Sequence, residues 1–333
     1  EFENPGPFAD CFGNVTIIKD AAPNAANVDF DFEIVSDDTQ STIETFPLDG
    51  SNNGTDNVAS YVLLEGDYTI TETDFPGNWE LVDITCNVDY TVDGESVSLT
   101  VGYADDITCT FSNERRGQVR ITKFEDLNGN GVQDDDEPTI EGWQMFLYQE
   151  QGDDNFVQIQ NNQPRYTNSN GIVNYNNLVA GTYRVCEEDV DGWTNSNDNT
   201  FMFEGRICQD VEVVNSQTTP VNFANMQNGS VSIVKATNPE NAPWLDFSFD
   251  GDFGTFDLNG GMDENTNSIT FENVSPLTDL TVTETSSPGN WDLTGIVCES
   301  DSVDQPAFSV DGDSATFALN YSGEHLTCTF SNE

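Results

Sequence analysis

The sequence predicts an all-β protein built as three tandem β-sandwich domains, on three observations. Short segments in which Val, Ile, Thr, Phe and Tyr alternate with polar residues are separated by clusters of Gly, Asn, Asp and Pro, and no stretch carries a helical period. Two distant parts of the chain are copies of each other: TITETDFPGNWELVDITC (69–86) matches TVTETSSPGNWDLTGIVC (281–298), and ITCTFSNE (107–114) matches LTCTFSNE (326–333). The length of 333 residues suits two or three domains of about 100 residues each. The repeats place a first domain at 14–114 and a sibling third domain at 228–333. Between them lies a divergent middle domain, 115–227, with GTYRVCEEDVDGW (181–193) where the others carry their TET-PGNW segment.

Three short motifs recur in the same order in each domain. The opening strand reads NVTIIK (14–19), QVRITK (118–123) and SVSIVK (230–235). Side chains alternate faces along a strand, so Val15/Ile17/Lys19, Val119/Ile121/Lys123 and Val231/Ile233/Lys235 each share one face, and a lysine follows two core residues inward. A later strand gives Tyr68/Ile70/Glu72, Tyr183/Val185/Glu187 and Leu280/Val282/Glu284, which puts a carboxyl on the apolar face. The closing strand adds an asparagine in Phe111/Asn113, Phe223/Asn225 and Phe330/Asn332.

These are the only three lysines in the chain, and a surface solubiliser would not be confined to one inward position. Burial drives the lysine pKa down, towards a neutral and nucleophilic amine, and holds a proton on the glutamic acid. Beside an asparagine amide, such a pair can form a covalent Lys–Asn tie with loss of ammonia, the carboxyl relaying protons. The alternative use of the same residues is a buried Lys–Glu ion pair with a hydrogen-bonded asparagine and no reaction.

The pattern resembles the Cna B-type and SpaA-type prealbumin-like domains of bacterial adhesins and pilins. It covers nearly all of the chain after residue 13. The resemblance implies immunoglobulin-like or prealbumin-like sandwiches and isopeptide bonds Lys19–Asn113, Lys123–Asn225 and Lys235–Asn332, formed with the help of Glu72, Glu187 and Glu284. One departure is Leu280, where the family's strand usually carries Tyr.

Six of the seven cysteines fall in same-domain pairs, Cys86 with Cys109, Cys186 with Cys208 and Cys298 with Cys328, which reads as three disulfides and an oxidising compartment. Cys109 and Cys328 share the face of their domain's asparagine. Cys186 precedes Glu187 directly and points the other way. Cys11 is left over, either free, bridging to another subunit or parted from its partner.

Residues 126–137, DLNGNGVQDDDE, have the spacing of an EF-hand calcium loop: side-chain oxygens at Asp126, Asn128, Asn130, Asp134 and Glu137, the Val132 carbonyl at position seven and Gly131 at the sharp turn. Flanking helices are not expected. The segment resembles the calcium-bearing B-repeats of the serine-aspartate surface proteins, and it predicts a calcium cofactor that stiffens the middle domain and its join to the first.

With 60 acidic and 9 basic residues and a formal charge of −51, nucleic acid and anionic membranes are poor partners. No apolar run reaches the ~20 residues of a membrane span, and the start lacks a signal-peptide layout. Glycosylation sequons at Asn14, Asn53, Asn228, Asn273 and Asn320 are expected by chance in so Asn- and Thr-rich a chain, and Trp79, Trp193 and Trp291 read as packing anchors. Residues 1–13 open with EFEN, in which Phe2 and Asn4 repeat the closing-strand motif, as in an excerpt of a longer array or a subunit that polymerises by strand addition. The expected role is a load-bearing segment of an extracellular, cell-surface adhesin, stalk or pilus-like fibre, partnered by neighbouring domains or subunits and an unknown surface ligand. The alternative is a ligand-binding module for matrix, glycan or ice, with loops 141–170 and 259–270 as candidate patches. No enzyme constellation is present.

Overall fold

Residues 11–159, 164–239, 242–261, 266–302 and 306–333 are described in the computed structural model, and among them there is no helix. Phe2 and Asn4 lie outside the described residues, as do parts of the two candidate ligand loops. Six sheets form, two in each of the three repeats.

The first repeat contains β1 (Phe12–Ala22), β2 (Ala25–Ser36), β3 (Ser41–Gly50), β4 (Val58–Leu64), β5 (Gly66–Asp74), β6 (Trp79–Cys86), β7 (Tyr90–Asp93), β8 (Ser96–Val101) and β9 (Asp106–Arg115). Their orders are β4-β1-β9-β6 and β3-β2-β5-β8-β7. β1 begins at Phe12, two residues ahead of the boundary expected at 14. β1 and β9 are parallel neighbours with Lys19 opposite Phe111 and Ala21 opposite Asn113. Val15, Ile17, Lys19 and Ala21 are buried while residues between them are exposed or half-buried, the period-two pattern of a one-faced strand.

The middle repeat contains β10 (Gly117–Glu125), β11 (Gln144–Glu150), β12 (Phe156–Gln158), β13 (Arg165–Tyr166), β14 (Ile172–Leu178), β15 (Gly181–Glu188), β16 (Trp193–Asn195), β17 (Phe201–Phe203), β18 (Arg206–Val213) and β19 (Thr218–Gln227). Its sheets run β14-β10-β19-β16 and β12-β11-β15-β18-β17, with β13 on β11. The third repeat contains β20 (Gly229–Thr237), β21 (Ala242–Gly251), β22 (Phe256–Gly260), β23 (Ser268–Val274), β24 (Leu280–Ser286), β25 (Leu293–Ser300), β26 (Phe308–Asp311), β27 (Ser314–Phe317) and β28 (His325–Asn332). Its orders, β23-β20-β28-β25 and β22-β21-β24-β27-β26, repeat those of the first. β20 and β28 are again parallel neighbours, with Lys235 opposite Phe330.

By compactness the chain divides into two units. One holds residues up to Arg120 with Asn174–Thr182 and Val211–Thr219; the other holds Ile121–Val173, Tyr183–Asp210 and Pro220–Glu333. A single residue, Arg116, separates β9 from β10, and Asn228 alone separates β19 from β20.

Candidate functional site: three buried lysine centres and an acidic loop

In each repeat the lysine sits near the end of the first strand and the asparagine near the end of the last, side by side in one sheet, while the glutamic acid reaches them from the other sheet. All nine side chains, Lys19/Glu72/Asn113, Lys123/Glu187/Asn225 and Lys235/Glu284/Asn332, are buried.

In the first repeat the Lys19 Nζ donates to Asn113 Oδ1 at 2.8 Å and to the carbonyls of Phe111 at 2.8 Å and Asp20 at 2.7 Å. Asn113 Nδ2 donates to Glu72 Oε1 at 2.9 Å, and Lys19 Nζ lies 4.0 Å from the same oxygen. The third repeat copies this: Lys235 Nζ donates to Asn332 Oδ1 and to the Phe330 carbonyl (2.9 Å), Asn332 Nδ2 donates to Glu284 Oε1 at 2.7 Å, and the amine lies 3.3 Å from Glu284 Oε2. In the middle repeat Lys123 Nζ donates to Asn225 Oδ1 and lies 3.2 Å from Glu187 Oε2. Here a fourth side chain enters, because Asn195 Nδ2 donates to Glu187 Oε1 at 2.9 Å and to Asn225 Oδ1 at 3.2 Å.

Burial sets the charges. Loss of hydration pushes Lys19 down to about 8, against the opposing pull of Glu72, and it pushes Glu72 up to about 7 against the pull of Lys19. Lys123 is pushed down to about 8 for the same reason, and burial raises Glu187 and lowers Lys235. In the first and middle centres burial thereby favours a neutral amine and a protonated carboxyl beside a primary amide, the set of states that acyl transfer to nitrogen needs, and in the third it favours the neutral amine.

Each lysine Nζ also faces an aromatic ring: Phe30 at 4.5 Å, Trp143 at 4.5 Å and Phe247 at 4.4 Å to the centroid. Each of those rings is in turn met edge-on by the tryptophan of the recurring turn, Trp79 on Phe30, Trp193 on Trp143 and Trp291 on Phe247. Sequence reasoning treated the tryptophans as general anchors and missed the rings. The signal was present in VDFDF (28–32) and LDFSF (245–249), which follow the lysine strand in the two siblings. Leu280 is half-buried where Tyr68 and Tyr183 are buried.

Three disulfides are present, Cys86–Cys109, Cys186–Cys208 and Cys298–Cys328. The outer two join residues directly opposite on neighbouring strands, β6 with β9 and β25 with β28. Cys186 and Cys208 are fully buried in a separate small cluster with Phe146, Tyr148, Phe156 and Phe203, on the other face of β15 from Glu187. Arg184 stacks on Phe156, Phe201 and Phe203 over that cluster and pairs with Asp210 at 2.7 Å. Cys11 is not part of these three bonds.

The loop 126–137 is closed by a single antiparallel bridge, Phe124 with Thr139, which takes the place of flanking helices. Gly131 has φ +72°, the left-handed turn that makes glycine the residue for this position. Asp126 is fully buried; its Oδ1 accepts from the backbone N–H groups of Asn128, Gly129 and Asn130, and its Oδ2 from Gly131 N–H and the Ser196 hydroxyl. The Asn128 and Asn130 side-chain oxygens accept from the N–H groups of Asn130 and Val132, and their amides both donate to Asp134 Oδ2. Glu137 accepts from the N–H groups of Leu127 and Asp134. Among the described residues no three or more His, Cys, Asp or Glu side chains converge as a metal cage. The all-oxygen donor set, the buried Asp126 and the Gly131 turn fit a hard cation such as calcium, with Glu137 having to exchange its N–H partners to join. The loop touches the third repeat: Ser322 N–H donates to the Leu127 carbonyl and a Cβ added to Gly129 would meet the Leu277 side chain, while just ahead of the loop Glu125 Oε1 accepts from the Ser322 hydroxyl.

A family model described as prealbumin-like fold domain matches residues 15–115 and 231–333. The chain belongs to this prealbumin-like family. A second model, SdrD B-like domain, matches residues 121–239, the divergent middle of the prealbumin-like array. Serine-aspartate repeat-containing protein F of Staphylococcus epidermidis is 29% identical over 142 residues, which cover 41% of this chain and 8% of that protein. Among solved structures, the Bacillus anthracis TIE protein aligns at TM-score 0.38 and 14% identity, over 97% of this chain and 51% of that one. The minor pilin GBS52 of Streptococcus agalactiae aligns at TM-score 0.27 and 13% identity, over 65% and 96%.

Proposed function

We propose that this chain is a load-bearing segment of an extracellular surface protein, an adhesin, stalk or pilus-like fibre, in which each domain locks itself with a Lys–Asn isopeptide bond. The observation that carries the reading is the placement of a buried lysine and asparagine on the first and last strands of every repeat, with a buried carboxyl opposite them. The neutral Lys19 amine attacks the Asn113 amide carbon, and the electrons of the C=O bond move to Oδ1. The protonated Glu72 carboxyl gives its proton to the departing nitrogen and takes the one lost by the amine, and the electron pair on Oδ1 returns to the carbon as the old C–N bond breaks, so one C–N bond forms, one breaks and ammonia leaves. Lys123/Glu187/Asn225 and Lys235/Glu284/Asn332 act in the same way. Each set acts once on itself, so the chain is no enzyme in the turnover sense.

The strand order gives the bond its mechanical meaning. Tension that enters at the start of β1 and leaves at the end of β9 pulls two parallel neighbours past each other. A Lys19–Asn113 bond carries that load directly and spares residues 20–112 from it. The disulfides tie neighbouring strands within a sheet, and calcium held by Asp126, Asn128, Asn130, Val132, Asp134 and Glu137 would supply positive charge to an acidic loop in the middle domain. A cell-surface location, with neighbouring domains or subunits of the same fibre as partners, goes with the load-bearing role. Pulling single chains end to end tests the reading. The wild type is expected to give no domain-unfolding extension, whereas Glu284→Ala releases the third domain with a gain on the order of 200 Å, because the Cys298–Cys328 disulfide keeps the residues it encloses out of the extension. Three full-length unfolding steps in the wild type would sink it.

A further inference from the structure

The middle centre differs from its siblings at one register position. On the strand beside the closing strand, the residue opposite the asparagine is Leu81 for Asn113 and Leu293 for Asn332, but Asn195 for Asn225. The three align in sequence as the second residue after the tryptophan, in WEL, WTN and WDL. Asn195 Nδ2 reaches both Glu187 Oε1 (2.9 Å) and Asn225 Oδ1 (3.2 Å), and Oδ1 is the atom on which negative charge develops when an amine adds to the amide carbon. The side chain does not rotate freely, because its own oxygen accepts from the Asn197 N–H at 3.0 Å and the Thr200 hydroxyl at 3.1 Å.

The next two residues are fastened to the acidic loop. The Ser196 hydroxyl donates to Asp126 Oδ2 at 2.6 Å, and Asn197 Nδ2 donates to the Gly131 carbonyl at 3.5 Å. Asn197 Oδ1 also accepts from Ala224 N–H, so this tripeptide bridges loop and closing strand beside their direct bond from Asp126 N–H to the Asn225 carbonyl. We propose that Asn195 is a catalytic residue of the middle domain, an added donor to the forming oxyanion, and that Ser196 and Asn197 place it under the control of the 126–137 loop. Crosslinking of the middle domain alone then depends on a divalent cation in that loop. The outer domains have leucine at this position and no such loop.

This rests on the isopeptide and calcium readings above, and the test separates their failure from its own. In a Glu72→Ala/Glu284→Ala chain only the middle centre can react, so intact mass during oxidising cell-free synthesis reads its ammonia loss directly, with calcium or with EGTA. We expect faster loss with calcium, and in calcium an Asn195→Leu rate on the order of tenfold lower. Near-ultraviolet circular dichroism of the Trp143–Trp193 pair, unchanged in that variant, shows that it has folded. Asn195→Gln, which keeps the N–H donor, recovers part of the rate. Ser196→Ala reacts equally with and without calcium. An Asn195→Leu chain that is folded and reacts at the parent rate, or a parent rate indifferent to calcium, overturns the proposal and leaves the isopeptide reading intact. No ammonia loss from the parent in either condition overturns both.

Discussion

The first and third repeats are near copies, while the middle one shares with them little beyond its strand plan and its buried centre. Around that centre nearly everything differs. The outer disulfides join strands beside the asparagine, whereas Cys186–Cys208 sits on the far face of β15 under its own aromatic cover. The ring over the lysine is Phe in the siblings and Trp in the middle. The lysine, glutamic acid, asparagine, ring and edge-on tryptophan persist through all of this. Their persistence in domains that otherwise diverge marks them as the feature the sandwich is built to hold, with disulfide and loop as interchangeable additions.

The largest effect separates centre from additions. A Lys–Asn bond closes a loop of 94, 102 or 97 residues, and by the chain-entropy estimate such a closure contributes about 4–5 kcal/mol. Glu72→Ala, Glu187→Ala and Glu284→Ala are each expected to lower the melting temperature of their own domain by roughly 20 °C or more, measured by calorimetry. A change confined to a few degrees would place the centre among the ordinary buried polar networks. The disulfides close shorter spans of 23, 22 and 30 residues and should be worth about 3–4 kcal/mol each. Paired Cys→Ala replacements therefore cost less than loss of a crosslink in the same domain, and the reverse order would break the ranking.

Calcium sharpens the contrast between middle and outer domains. At a hundredfold excess over its Kd it should stabilise the middle domain by about 2.7 kcal/mol, and Glu137→Ala should abolish the gain, while the outer domains stay indifferent. A calcium shift in a transition assigned to the first domain would contradict this.

The smallest effect is the pH profile of the first centre. In the first domain the reactive pair is a neutral Lys19, favoured above about 8, and a protonated Glu72, favoured below about 7. Crosslinking should therefore be bell-shaped, slowed on the acid side by protonation of the amine and on the alkaline side by ionisation of the carboxyl, with its maximum between those values. Ammonia release across pH checks it. A rate that rises steadily into alkali would remove Glu72 from the reaction.

Much of this was legible in the sequence because strands write their faces in period two. Val15, Ile17 and Lys19 announced a buried lysine, and threefold recurrence paired it with Glu72 and Asn113 although 94 residues separate the amine from the amide. What alternation does not encode is which residue of the opposite sheet lies above the amine. That depends on sheet pairing, so Phe30, Trp143 and Phe247 came only from the structure. Asn195 escaped for a related reason: its importance lies in the cross-strand register with Asn225, and in sequence it is one asparagine among many. The loop's composition was readable, but its contacts with Ser322 and Leu277 were not, because they lie between residues far apart in the chain.

The most direct test of the central claim is the intact mass of the purified, reduced chain against the mass of its sequence. Three self-formed bonds predict a deficit of three ammonias, falling to two in each of Glu72→Ala, Glu187→Ala and Glu284→Ala. A full sequence mass would contradict the account and leave the three centres as buried Lys–Glu pairs with no bond between first and last strands.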